Sequence, residues 1–241
     1  MGRFDGRRVV VTGAGRGIGR ATALAFAREG ADVVLVARTG SQIEECAAEV
    51  RKLGRLALPI VCDVAGEDDV EQMVDQAERE LGPIDTLINN AGIGRFAPIT
   101  ELKLEDWNAM MAVNATSVFL CSRAVLRRMI PRKRGWIINI SSSSGLKPYR
   151  QQAGYCASKH AVMGFTKCLA LECQPHGIRV SAVCPGGVDT KFSRDLRNDV
   201  DFTKWMKPEE IAQVVLFLAS LDSIASVDQV VVRRFEAEVF F

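Results

Sequence analysis

Short runs of apolar, mostly β-branched residues alternate along the chain with longer stretches whose apolar positions recur at helical spacing. Such short continuous runs are typical of strands that are buried on both faces. Strands are predicted over residues 7–12, 32–37, 56–62, 84–89, 136–141, 179–184 and 229–233. Helices are predicted over residues 18–29, 41–53, 67–81, 104–129 (in two segments), 155–174 and 208–220. Ser41 and Glu44 are expected to form a capping box at the start of the second helix.

The order of these elements predicts the fold class. Alternation of strands and helices is typical of an α/β fold in which helices cover both faces of a doubly wound parallel sheet. No linker or internal repeat interrupts the pattern, so residues 1–241 are predicted to form a single domain of the Rossmann type. Binding sites in such sheets lie beyond the carboxyl ends of the strands, where the unusual residues of this sequence fall.

Composition and charge argue against several classes of partner. The chain has 31 basic and 29 acidic residues, so its net charge of +2 favours neither nucleic acid nor a membrane surface. No apolar run approaches the roughly 18 residues of a membrane span, and the first residues lack the apolar core of a signal peptide. The seven cysteines form no Cys-x-x-Cys pair and only two histidines are present. A cytoplasmic protein with reduced thiols and no metal site is therefore expected.

A glycine-rich segment, Thr12-Gly13-Ala14-Gly15-Arg16-Gly17-Ile18-Gly19, joins the first predicted strand to the first helix. Gly13 suits a tight turn, Gly17 lets the backbone approach a pyrophosphate, and Gly19 lets the helix pack close to the strand. The start of the helix offers free N–H groups and the positive end of a dipole to phosphate. A purely structural turn also needs glycine, but the position between strand and helix favours nucleotide binding.

The end of the second predicted strand indicates which nicotinamide cofactor is bound. Sites for NAD usually place an acidic residue there, about 20 residues after the glycine loop, to bind the ribose 2′-hydroxyl. Here the strand ends in Val36-Ala37-Arg38, and Arg16 in the loop adds a second positive charge. A guanidinium can hold a 2′-phosphate through two parallel hydrogen bonds. The sequence therefore favours NADP(H) over NAD(H), the alternative being that both arginines are solvated surface charges.

Tyr155 and Lys159 lie four residues apart at the start of a predicted helix and so share one of its faces. A nearby ammonium favours the phenolate, and an oxidised nicotinamide ring would add further positive charge. Together these two charges are expected to lower the pKa of the tyrosine from about 10, which would let the phenol exchange a proton with an alcohol or carbonyl. Ser142, at the end of a predicted strand, can hydrogen-bond the substrate oxygen. Each feature alone is common, but together they follow a nucleotide loop in the expected order.

The combined motifs resemble the short-chain dehydrogenase/reductase family, and within it the 3-oxoacyl-acyl-carrier-protein reductases, from Thr12 to about Ser220. Asp63-Val64 is similar to the pair that contacts adenine in the family. Asn89-Asn90-Ala91-Gly92 resembles the motif that steadies the central sheet near the cofactor ribose. Pro185-Gly186-Gly187-Val188-Asp189-Thr190 is similar to the loop that contacts the nicotinamide.

The resemblance implies a set of site residues. The implied catalytic residues are Asn114, whose backbone would hold a water in a proton relay, with Ser142, Tyr155 and Lys159. The implied cofactor-binding residues are Gly13, Arg16, Gly17, Ile18, Gly19, Arg38, Asp63, Val64, Asn90, Ala91, Gly92, Tyr155, Lys159, Pro185, Gly186, Val188 and Thr190. The implied reaction moves a hydride between NADP(H) and a carbonyl or secondary alcohol while Tyr155 exchanges the proton.

The expected substrate is a small-molecule carbonyl or alcohol, and two classes stay open. A basic patch at residues 123–134 (Arg123, Arg127, Arg128, Arg132, Lys133 and Arg134) would favour a 3-oxoacyl thioester on an acidic carrier protein, although a solvated helix end explains it as well. A sugar or steroid alcohol is the other class. A non-catalytic NADP(H)-binding sensor is the alternative function, disfavoured by the intact Ser142, Tyr155 and Lys159.

The regions flanking the motifs supply further expectations. Residues 191–207 resemble a mobile lid, and Phe96 and Phe192 are among the candidate pocket-lining residues. After Ser220 the chain lacks the glycine-rich strand of many relatives, which weakens the inference of a tetramer. An exposed last strand and an aromatic tail still favour a homo-oligomer, either a dimer or a tetramer.

Overall fold

The computed structural model describes residues 2–197 and 199–239. Seven strands run β1 Arg8–Thr12, β2 Asp32–Ala37, β3 Ala57–Val61, β4 Thr86–Asn89, β5 Gly135–Ile140, β6 Ile178–Pro185 and β7 Gln229–Val232. The helices run α1 Gly17–Arg28, α2 Gly40–Lys52, α3 Glu67–Leu81, α4 Leu104–Met111, α5 Ser117–Arg132, α6 Ala153–Cys173, α7 Lys191–Leu196 and α8 Pro208–Ser220.

The seven strands form one parallel sheet in the order β3-β2-β1-β4-β5-β6-β7. The chain winds outward from β1 to β3, returns to β4 beside β1, and then winds the other way to β7. The switch in direction between β1 and β4 opens a crevice at the carboxyl ends of these strands. The doubly wound α/β fold expected from the sequence is therefore confirmed, whereas the single-domain organisation stays a prediction.

Alternation of side chains along each strand places the core on both faces of the sheet. Val9 and Val11 of β1 face the layer formed by α1, α2 and α8, and Val10 between them faces the layer formed by α3, α5 and α6. Successive side chains of a strand point to opposite faces, so a strand covered on both sides must be apolar throughout. This requirement explains why the strands read as continuous apolar runs.

Two helix boundaries differ from the sequence expectation or refine it. Helix α2 begins at Gly40 after Thr39, and no side chain caps it, so the capping box expected at Ser41 is wrong. The predicted two-segment helix over 104–129 is confirmed, since α4 and α5 are joined by a π-helical turn, Ala112–Thr116.

The combined stretch Leu104–Arg132 is long and apolar enough by composition to cross a membrane. Half of its most apolar window is buried inside the protein, as in a core helix.

The basic patch at residues 123–134 does not form a free cationic surface. The acidic residues of α3 face it, and ion pairs join Arg127 to Glu71 at 2.8 Å and Arg132 to Glu78 at 3.4 Å. Arg123 pairs with Glu67, and Arg128 with Asp75. Neighbouring carboxylates therefore offset much of the charge of these guanidiniums, and the choice between a carrier-bound thioester and another substrate stays open.

Candidate active site

A cavity of about 330 Å³ lies at the carboxyl ends of the strands, over the crevice between β1 and β4. It brings together most of the residues that the sequence analysis assigned to cofactor and substrate. These are Gly13, Arg16, Gly17, Ile18, Arg38, Asp63, Val64, Asn90, Ala91, Gly92, Ser142, Tyr155, Lys159, Pro185, Gly186, Val188 and Thr190. Gly19 and Asn114 are buried and do not line the cavity.

The glycine loop has a backbone that other residues would not tolerate. Gly13 and Gly17 have φ angles of +66° and +56°, in the left-handed region that favours glycine. A Cβ atom on Gly19 would lie 2.3 Å from the carbonyl oxygen of Gly13, so α1 could not pack this close to the loop. These glycines leave the first turn of α1 open towards the cavity, with its N–H groups available to an anion.

Asn90 ties the glycine loop to the loop that follows β4. Its side-chain Nδ2 donates a hydrogen bond to the carbonyl oxygen of Thr12 at 2.8 Å. In return the hydroxyl of Thr12 accepts hydrogen bonds from the backbone N–H of Asn90 at 2.9 Å and of Ala91 at 3.1 Å. The two strand ends that border the crevice are thereby held in register, and both loops keep their shape beneath the cavity.

Arg16 and Arg38 are exposed at one end of the cavity. Within residues 2–197 and 199–239, neither guanidinium forms an ion pair or a side-chain hydrogen bond. Arg38 follows β2 directly, and no carboxylate occupies the end of that strand. Asp63, at the end of the neighbouring strand, accepts a hydrogen bond from the N–H of Ala65 at 3.1 Å. Two guanidiniums and the carboxylate of Asp63 therefore border this end of the cavity.

Ser142, Tyr155 and Lys159 meet at the other end of the cavity. Ser142 follows β5, and its Oγ accepts a hydrogen bond from the N–H of Ser144 at 3.1 Å. Tyr155 lies in the first turn of α6, with its side chain buried. Lys159 follows one turn later, where its Nζ donates to the carbonyl oxygen of Ile140 at 2.9 Å and lies 5.9 Å from the centroid of the Tyr155 ring.

Burial shifts the pKa values of both members of this pair, which the sequence analysis did not anticipate. It raises the pKa of Tyr155 to about 12, although a hydrogen bond with Ser142 acts in the opposite direction. Burial likewise lowers the pKa of Lys159 from 10.5 to about 8. The lowering of the tyrosine pKa expected from Lys159 together with an oxidised nicotinamide stays a prediction, because the structure contains no cofactor charge. The phenol is protonated near neutral pH, and only a further positive charge nearby would favour the phenolate.

Asn114 is fully buried in the π-helical turn between α4 and α5. Its side-chain Oδ1 accepts the N–H of Ile93 at 2.8 Å, and its Nδ2 donates to the carbonyl oxygen of Ile93 and to Ser158 Oγ, both at 2.9 Å. The asparagine thus connects the loop after β4 to α6, the helix that carries Tyr155. π-Helical turns interrupt the regular hydrogen bonding of a helix and are frequent at functional sites.

The loop after β6 leads into the short helix α7 at the mouth of the cavity. Thr190 caps α7, with its Oγ1 accepting the N–H of Ser193 at 3.2 Å. The carboxylate of Asp189 pairs with Arg194 at 2.7 Å and with Lys207 at 2.8 Å. These hydrogen bonds lower the pKa of Asp189 to about 2. Asp189 therefore joins both ends of the segment 191–207 that the sequence analysis compared to a lid.

Several cavity residues escaped the sequence analysis. Thr39 and Gln42 line it beside Arg38, and Gly15 passes so close to Gln42 that a Cβ there would lie 2.8 Å from the Cβ of Gln42. The signal for Thr39 was its position directly after Arg38 at a strand end. Nothing in the local sequence marks Gln42, because it reaches the cavity from inside a helix.

Comparison with known proteins gives this geometry a context. The short chain dehydrogenase family matches residues 7–201. The 3-oxoacyl-[acyl-carrier-protein] reductase of Synechocystis is 40% identical over 88% of each chain. The gluconate 5-dehydrogenase of Gluconobacter oxydans is 38% identical over 90% of this chain and 89% of its own. An alcohol dehydrogenase of the archaeon Thermococcus sibiricus, solved with 5-hydroxy-NADP, superposes with a TM-score of 0.90 at 28% identity. That comparison covers 98% of this chain and 99% of the other.

These relatives carry out oxidation or reduction at alcohol and carbonyl groups on different substrates, which favours an enzyme over a non-catalytic sensor. The family match covers most of the chain, and the crevice, glycine loop and Ser142–Tyr155–Lys159 arrangement are present in one cavity. The chain belongs to the short-chain dehydrogenase family and is an oxidoreductase that acts on CH–OH and C=O groups.

Proposed function

We propose that the protein is an NADP(H)-dependent carbonyl reductase or alcohol dehydrogenase, with Ser142, Tyr155 and Lys159 as its catalytic residues and Asn114 supporting them. The observation that carries the choice of cofactor is the pair of exposed arginines, Arg16 and Arg38, which line the cavity without a protein partner. A guanidinium that forms no internal ion pair is available to a phosphate, whereas a ribose 2′-hydroxyl would call for a carboxylate.

The residues present fit a nicotinamide dinucleotide. Gly13, Gly17 and the start of α1 would hold its pyrophosphate, and Arg16 and Arg38 would hold a 2′-phosphate. The remaining residues proposed to contact the cofactor are Ile18, Gly19, Asp63, Val64, Asn90, Ala91, Gly92, Tyr155, Lys159, Pro185, Gly186, Val188 and Thr190. When bound, the cofactor supplies or accepts the hydride, and the protein contributes orientation and proton transfer.

The catalytic chemistry follows from protonation states in the cavity. Tyr155 holds its proton at neutral pH, since its pKa, raised by burial to about 12, lies far above 7. It can therefore donate that proton to the oxygen of a carbonyl that is being reduced. Ser142 lies within hydrogen-bonding reach of the phenol and can orient the same oxygen. Lys159 carries its charge below about pH 8 and offsets negative charge that develops on the phenol.

The cofactor preference can be tested by measuring the dissociation constants of NADPH and NADH for the wild type and two variants. Arg38→Ala should weaken NADPH binding by roughly 10- to 100-fold, the worth of a charged hydrogen bond, and leave NADH binding nearly unchanged. Arg28→Ala is the matched control, because Arg28 is exposed at the end of α1 and does not line the cavity. Tighter binding of NADH by the wild type would refute the proposal.

The enzyme is further proposed to be cytoplasmic and to form a homo-oligomer. A cytoplasmic location is supported by seven cysteines that are all free thiols. A homo-oligomer, either a dimer or a tetramer, is supported by large apolar side chains at the surface, such as Phe217 and Ile224. Size-exclusion chromatography with light scattering would test the second point, and a monomer at micromolar concentration would contradict it.

A further inference from the structure

Two phenylalanine rings from distant parts of the chain contact the ring of Tyr155. Phe96, in the loop after β4, lies 5.8 Å from it in an edge-to-face arrangement, measured between centroids. Phe192, in α7, lies 5.9 Å away. Neither phenylalanine makes a described ring contact with the other, so they border the tyrosine at separate places. Both are only partly buried, which leaves ring surface available beside the phenol.

A glycine permits this arrangement. Gly94 is buried two residues before Phe96, and α7 rests against it. A Cβ atom on Gly94 would lie 2.7 Å from Cδ1 of Leu196 and 3.0 Å from Cζ of Phe192. The position of Phe96 is also held, since the N–H of the next residue donates a hydrogen bond to the carbonyl oxygen of Gln151 at 2.9 Å. The two rings are therefore placed by the surrounding backbone.

Most charged side chains in the segments around the site are already paired with one another. Arg95 pairs with Asp106 at 3.4 Å, Lys191 with Asp195 at 2.7 Å, and Asp189 holds Arg194 and Lys207. Lys147 pairs with Glu238 at 3.6 Å. Arg150 is exposed and, within the residues that the structure describes, has no carboxylate partner. Arg150 is not among the residues that line the cavity, and the Lys159 ammonium, which does line it, is hydrogen-bonded to the carbonyl oxygen of Ile140.

We infer that Phe96 and Phe192 form a clamp for an uncharged, ring-sized apolar group attached to the carbon that carries the reacting oxygen. This inference rests on the proposed function and narrows its substrate to neutral ketones and the corresponding secondary alcohols. Aromatic rings pack favourably against one another and against apolar groups. A carboxylate placed among them loses hydration without gaining a partner. Sugar acids are disfavoured for the same reason.

The test compares three ketones in an NADPH-oxidation assay. Acetophenone and phenylglyoxylate share the phenyl ring and the carbonyl, and they differ in whether a methyl group or a carboxylate completes the ketone. Acetone lacks the ring. Acetophenone should have a kcat/KM at least about tenfold higher than either of the others. Phe96→Leu and Phe192→Leu should each lower the acetophenone-to-acetone ratio by roughly 3- to 10-fold, chiefly through KM.

Two further variants separate the clamp from general effects on folding. Phe119→Leu is the control, because this partly exposed phenylalanine lies on α5 and its described ring contact is with Phe165 rather than Tyr155, and the ratio should not change. Arg150→Gln should leave acetophenone reduction unchanged. A preference for phenylglyoxylate that Arg150→Gln abolishes would overturn the inference and leave the proposed function standing. An unchanged ratio in both clamp variants would overturn it too. NADPH binding without turnover of any of the ketones would refute the proposed function itself.

Discussion

The buried ammonium of Lys159 leads to a prediction about stability as well as activity. Its side chain is 4% exposed, and burial lowers its pKa from 10.5 to about 8. At 1.36 kcal/mol for each pKa unit, holding the charge in the folded protein at pH 7 costs about 3 kcal/mol. Methionine has a similar length and no charge, so Lys159→Met removes this cost. It also removes the hydrogen bond to the Ile140 carbonyl oxygen, worth about 1–2 kcal/mol.

The net expectation is a variant that is more stable and inactive. The free energy of unfolding should rise by about 1–2 kcal/mol at pH 7, which corresponds to a Tm higher by roughly 3–6 °C for a chain of this size. Turnover should fall by at least about 100-fold, because the phenol loses the positive charge that supports proton transfer. Lys167→Met, on the exposed side of the same helix, is the control and should change the unfolding free energy by less than about 0.5 kcal/mol.

The pH dependence of the gain in stability of Lys159→Met tests whether the buried charge is its cause. The folded pKa of Lys159 lies below the unfolded value of 10.5, so the cost is fully present below about pH 8 and disappears as the pH rises towards 10.5. The difference in Tm between variant and wild type should therefore shrink between about pH 7 and pH 10. Differential scanning calorimetry across this range measures it. A variant that is less stable than the wild type at pH 7, with a gap that does not depend on pH, would refute the reasoning.

Two further predictions concern Tyr155 and Asp189. Tyr155→Phe should retain NADPH binding, measured by fluorescence titration, and lose at least about 100-fold in turnover, because only the proton donor is removed; full activity in this variant would contradict the assignment. Asp189→Asn should raise KM for ketones by roughly 3- to 10-fold with little change in cofactor affinity, because it releases Arg194 and Lys207 from the ends of the lid segment. This loss should be the same from about pH 5 to pH 8, since the wild-type pKa is about 2, and Asp189→Glu should restore KM in part.

Local patterns in the sequence were sufficient for the architecture and for most of the candidate site. Apolar runs and helical spacing depend on neighbouring residues, so they predict strands, helices and their order well. The glycine loop, Arg38 at a strand end and the Tyr155–Lys159 spacing are also local, and the fold brings strand ends together at one edge. These residues could therefore be placed in one site before the structure was known.

Only the tertiary structure decided features that depend on contacts between distant segments. The acidic face of α3 neutralises the basic patch of α5, which no inspection of α5 alone could show. Phe96 and Phe192 both contact the ring of Tyr155 from distant parts of the chain, and α7 packs against Gly94. The pKa values of Tyr155 and Lys159 were likewise undetermined by their spacing, because the largest cause of both shifts is burial, which is a property of the whole fold.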